Sequence, residues 1–65
     1  MADDDLAALK RHLEATRFEC DRLRKSAKRY MIRKQFQFAA SLNADANRRE
    51  KEIAELEAKI RGLER

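Results

Sequence analysis

Seven basic side chains fall within thirteen residues: Arg22, Arg24, Lys25, Lys28, Arg29, Arg33 and Lys34, with no acid between them. At helical spacing they sweep from about 100° to about 280° around the axis, most of one side. Like charges so crowded repel one another, and an anion among them relieves the repulsion. Phosphate suits them. The arginine fork takes it bidentately, and each phosphate neutralised releases counterions, so binding falls steeply with salt. Nothing in the run reads base sequence. The plainer reading is a solvated face, or a run paired with Asp3, Asp4, Asp5, Glu14 and Glu19 of a neighbouring helix. Asp21 and Lys25 form its one local pair at i,i+4 spacing. An acidic protein or an anionic membrane surface is the remaining partner this charge admits. Elsewhere the chain is near balance: residues 1–21 sum to −3, 35–47 to −1 and 48–65 to +1, for a net +4.

Phe18, Ile32 and Phe36 are the second feature. Phe18 and Phe36 share an angle of about 220° and Ile32 falls at about 180°, off the main apolar stripe. They form either a second apolar contact surface or scattered exposed residues of an ordinary kind. Joined to the basic run, they also allow a calmodulin-type target helix or an interfacial membrane helix as lesser readings.

Catalysis finds no constellation. His12 lies beside Arg11 and Leu13, with no carboxylate or hydroxyl spacing that implies a proton relay. Cys20 falls on the apolar stripe, where a thiol acts as a small core hydrophobe. These are the only soft metal ligands in the chain, so neither a zinc site nor a disulfide within the chain is expected. There is no glycine-rich phosphate loop, and one or two helices form no deep pocket. The expectation is therefore no enzyme, no metal, no cofactor and no small-molecule substrate.

Helices must carry these groups. There is no proline, the single glycine is Gly62, and 43% of the 65 residues are charged. Ala, Leu, Glu, Lys and Arg dominate, all good helix formers. Asp3, Asp4 and Asp5 suit a helix N-terminus, which places the start near Asp4 or Asp5. One stripe about 120° wide collects Leu6, Leu9, Leu13, Cys20, Leu23, Ala27, Met31, Phe38, Leu42, Ile53, Leu56, Ile60 and Leu63. These are the expected oligomer interface. Leu6, Leu9, Leu13, Thr16, Cys20, Leu23, Ala27 and Tyr30 step by three and four, a heptad run. Ile53, Leu56, Ile60 and Leu63 do the same, with isoleucine and leucine placed as in parallel two-stranded coils. Glu55–Lys59 and Glu57–Arg61 decorate that second run as i,i+4 pairs. The two runs are out of phase, and four-residue steps through Met31, Gln35, Phe38, Leu42, Ala46 and Arg49 join them as stutters.

The fold class expected is all-α: a long amphipathic helix forming a coiled-coil dimer or small bundle. A continuous helix would reach about 90 Å. The alternative is a helical hairpin with a turn near residues 43–47, where Asn47-Arg48-Arg49-Glu50 has the form of a capping box. The absence of glycine and proline there favours continuity. The chain reads as one oligomerisation module over residues 1–65: an acidic cap at 1–5, a first heptad run at 6–33, a weak seam at 34–49 and a second run at 50–65. A domain this small has little core of its own, so association is expected, with the chain itself as partner and a dimer favoured. The expected role is a scaffold, adaptor or assembly module for protein–protein interaction. The other reading is a small basic dimeric protein binding nucleic-acid phosphates through residues 22–34. The acidic start is unlike a signal or transit peptide, and one cysteine suits a reducing compartment, so an intracellular, cytoplasmic location is expected.

Overall fold

The computed structural model describes the backbone of residues 2–64 and the side chains from Asp5 onward. Two helices make it up: α1 spans Ala2–Ile32 and α2 spans Phe36–Glu64. They pack side by side within 49 × 14 × 12 Å. The chain is all-α, as expected, and its architecture is the hairpin rather than one continuous rod. The helix starts at Ala2, a little before the expected Asp4 or Asp5. The side chains of Asp3 and Asp4 in the acidic cap lie outside the described residues.

The turn falls at residues 33–35, not at 43–47, where α2 runs unbroken. Heptad spacing explains why. The first run, Leu6 to Tyr30, needs no stutter, and all eight of its members are buried or half-buried. The second run extends backwards without a stutter: Ala39, Leu42, Ala46, Arg49, Ile53, Leu56, Ile60 and Leu63 step by three and four throughout. Of these, only Arg49 and Leu63 are exposed. Phase is lost once, between Tyr30 and Ala39, and the turn sits there. The stutters read along a continuous helix are this one break spread over a longer stretch. The helices run antiparallel, as Lys10–Glu64 at 3.0 Å and Arg24–Asn43 at 3.2 Å require. That corrects the parallel pairing expected from Ile53, Leu56, Ile60 and Leu63.

The turn closes without glycine. Lys34 takes a left-handed conformation with φ 62°. The Gln35 N–H donates to the Tyr30 carbonyl at 2.8 Å, and the Lys34 N–H donates to the Met31 carbonyl at 3.0 Å. This pair is a Schellman motif, which satisfies two carbonyls that the end of α1 would otherwise leave open. The Gln35 carbonyl then accepts from the Ala39 N–H at 3.1 Å, opening α2.

The seam is uneven. Leu13, Leu56 and Ile60 form the buried apolar cluster, with Leu6, Leu9 and Ile53 packed against it. All lie toward the open end of the hairpin, away from the turn. Nearer the turn the seam is made of Cys20, Ala27, Ala39 and Ala46, each buried. Small side chains let the helices approach closely: the Cys20 Sγ reaches the Ala46 carbonyl at 3.6 Å. Thr16, also buried, satisfies its hydroxyl by donating to the His12 carbonyl at 2.8 Å. A core this small leaves only about 3–5 kcal/mol of stability.

Candidate functional site

Polar side chains on the helix flanks fix the register of the hairpin. The Arg24 guanidinium, half-buried, donates to Asn43 Oδ1 at 3.2 Å, Asn47 Oδ1 at 2.9 Å and Glu50 Oε1 at 2.6 Å. Asn43, Asn47 and Glu50 follow at intervals of four and three, so they share one face of α2. The residues that had the look of a capping box and turn are thus a receptor for Arg24 on a helix surface. Glu50 makes Arg24 hold its proton more tightly than usual, against a smaller opposing effect of desolvation. On the same scaffold His12 Nε2 lies 2.9 Å from Glu52 Oε1, and Arg17 pairs with Glu57 at 3.3 Å. Glu57 is therefore turned across the seam, not along α2 to Arg61 as its spacing suggested. The hydrogen bond to His12 holds the Glu52 carboxyl below its ordinary value, opposed in part by desolvation and helped by Arg49.

These ties order the basic run into two groups. Arg22 meets Glu19 at 3.7 Å, Arg24 is clamped as above, and Lys25 meets Asp21 at 3.0 Å as its spacing implied. Lys28, Arg29, Arg33 and Lys34 have no ion-pair partner among the described residues, and all four are exposed. The four sit on the last turn and a half of α1 and in the turn itself. No acid approaches from the facing helix, because α2 carries none before Asp45. The whole stretch from Arg22 to Ala44 is acid-free, and the fold gathers it into one half of the hairpin.

The same end carries the exposed apolar side chains. Ile32 is 81% exposed, Phe38 62%, Phe36 57% and Met31 49%. Met31 and Phe38, expected on the oligomer seam, lie off it because the heptad passes through Tyr30 and Ala39 instead. The Phe38 ring leans on Tyr30 at a centroid distance of 5.6 Å, tilted by 31°. Of the expected second apolar surface, Ile32 and Phe36 flank the turn together. Phe18, though 66% exposed, is fourteen positions away along α1, about 21 Å. Leu63 is exposed at the open end. The other expected interface residues, Leu6, Leu9, Leu13, Cys20, Leu23, Ala27, Leu42, Ile53, Leu56 and Ile60, are buried or half-buried between the two helices of one chain. The interface they form here is intramolecular.

The chain matches no family model, no curated protein and no solved structure. Its site must be read from its own residues. Among the described residues no three His, Cys, Asp or Glu side chains gather as a metal site, and no helix is long and apolar enough to cross a membrane. The turn end is a tip that carries four cations without an ion-pair partner among the described residues and four large exposed apolar groups. Such a surface offers charge and hydrophobic contact.

Sequence reasoning found the cations, Ile32 and Phe36. It missed that Met31 and Phe38 belong with them. The signal was present in the heptads: neither residue fits the run on its own side of the break.

Proposed function

We propose that the chain is a non-enzymatic interaction module of adaptor or scaffold type, which presents its turn end to a partner. One coincidence carries the reading. Among the described residues, four of the six large exposed apolar side chains and all four unpaired basic groups of residues 22–34 occupy the same tip. Exposed apolar groups gathered in one place mark contact sites more reliably than scattered ones. The hairpin brings these groups together before a partner arrives, which lowers the entropy of gathering them on contact. Self-association falls to this end or to the outer helix faces, since the heptad seam is occupied within the chain. A cytoplasmic setting goes with the proposal, supported by a single unpaired thiol at Cys20.

The second reading is phosphate contact with nucleic acid, which the unpaired Lys28, Arg29, Arg33 and Lys34 favour. Two paired variants test the module. One carries Ile32→Ser with Phe36→Ser at the turn; the other carries Lys10→Gln with Leu63→Ser at the open end. Each is compared with the parent for self-association by sedimentation, and for binding to generic RNA, duplex DNA and anionic vesicles. The turn pair is expected to weaken the binding the parent shows, and the open-end pair to leave it. Binding lost with the open-end pair, or a parent that binds in no arm, overturns the proposal.

A further inference from the structure

We propose that the partner of the turn end is an anionic lipid surface, on which the hairpin stands tip first. This rests on the module reading above and names its partner. Three observations favour a bilayer over other partners. The first is chemical. Ile32 and Met31 offer no stacking plane and no hydrogen bond to a base, yet they are exposed beside Phe36 and Phe38. A nucleic acid would engage the cations and leave these aliphatic groups in water. The headgroup–acyl boundary takes both kinds, since apolar side chains enter the acyl region while Lys and Arg stay among the phosphates.

The second is size. The hairpin's backbone extends 49 Å along its axis and only 14 × 12 Å across it, so end-on contact presents a narrow tip rather than a long helix face. A bilayer asks for depth instead of area. Interfacial elements sink about 5–10 Å into the boundary, one to two helical turns. That depth takes in Met31, Ile32, Phe36 and Phe38. Lys28 and Arg29, one turn higher on α1, come level with the phosphates, while Arg33 and Lys34, at the apex of the turn, reach back to them along their aliphatic stems.

The third is polarity of charge. Residues 22–44 carry +7 with no acid, residues 1–21 sum to −3, and residues 45–65 cancel. Over 49 Å this makes a molecule with one strongly positive end. An anionic surface attracts that end and disfavours the other, so the orientation is set before contact. The same charge opposes a tip-to-tip pair of two copies, which would bring Lys28, Arg29, Arg33 and Lys34 of each against those of the other.

The test is co-sedimentation of the full chain with vesicles of phosphatidylcholine alone, or with about 30% phosphatidylserine to give an anionic surface potential. Binding is expected only with phosphatidylserine. Lys28→Gln and Arg33→Gln should each weaken it by roughly fivefold, and Ile32→Ser with Phe36→Ser at least tenfold. All of these side chains are exposed, so circular dichroism should show the hairpin unchanged. The chain has no tryptophan, so Phe36→Trp gives a background-free probe whose emission shifts to the blue on anionic vesicles. Absence of vesicle binding, equal binding to neutral vesicles, or a Phe36→Trp spectrum unchanged on binding overturns the lipid assignment. RNA binding lost with the charge variants but indifferent to Ile32→Ser with Phe36→Ser, on a chain that ignores vesicles, assigns the tip to nucleic acid. Self-association lost with that apolar pair, again without vesicle binding, assigns it to a second copy. The self-association outcome leaves the module reading standing, the RNA outcome replaces it with the nucleic-acid reading, and silence in every arm removes the module and the lipid assignment together.

Discussion

Lys34→Gly is expected to stabilise the protein, and the sign of the effect tests the hairpin itself. Lys34 sits at φ 62°, where the Cβ of an L-residue crowds its own carbonyl at a cost of about 1–2 kcal/mol. Glycine removes that crowding. It also gives the unfolded chain more freedom, which offsets roughly 0.5–1 kcal/mol of the gain. A net stabilisation of about 0.5–1 kcal/mol remains. In a domain of this size that raises the melting temperature by roughly 2–8 °C. The two hydrogen bonds of the Schellman motif use backbone atoms alone, so the substitution leaves them intact. Lys34→Gln is the control, because it removes the same charge and keeps the strain. The assay is a far-ultraviolet thermal melt of the three proteins side by side. Were residue 34 inside a continuous helix, glycine would instead cost about 1 kcal/mol. A melting temperature that falls with glycine, or that rises no further than with glutamine, refutes the turn at 33–35.

Two further outcomes follow from the seam and its flanks. Ala46→Leu, at a position with no exposed surface and in reach of Cys20, should cost about 1–3 kcal/mol by overpacking, read as a lower urea midpoint; an unchanged midpoint would mean that the helices are not in close contact there. The Glu52 carboxyl is held below its ordinary value in the folded state, so its contribution is present above about pH 4.5 and is lost as pH falls through the lowered folded value. Urea midpoints should therefore decline on acidification through that window, and Glu52→Gln should flatten the decline; a variant that tracks the parent would show that the His12 contact contributes nothing.

The helices were legible and the turn was not, for a physical reason. Composition and the three-four steps of Leu6 to Tyr30 mark α1 because a helix must keep its apolar face on one side. Turn chemistry is legible when glycine, proline or a short polar cluster supplies it. Here the tight position is held by Lys34, and the polar cluster that looks like a turn, Asn43 to Glu50, serves Arg24 instead. The remaining signal was the heptad phase, and averaging the angle over the whole chain hid it. Ala39 and Ala46 carry that phase, yet alanine marks an apolar face weakly, so Phe38 took the place of Ala39 in the stripe. The basic half of the site was legible as a run of like charge. Its apolar half needed the turn, which alone brings Phe36 and Phe38 beside Met31 and Ile32.

The uneven seam has a kinetic consequence. The leucines and isoleucines that hold the hairpin lie at its open end, where facing partners such as Arg17 and Glu57 are 40 residues apart. The alanine half next to the turn closes first in chain distance but contributes little cohesion. Folding therefore cannot proceed as a zipper from the turn, because the largest loop must close before the strongest contacts form. The chain should fold and melt as one cooperative unit. Within the native state the least protected amides should be those of the turn half. The end that meets the partner is then also the end most able to yield, and its helices can part slightly on contact while the leucine cluster keeps the far end closed.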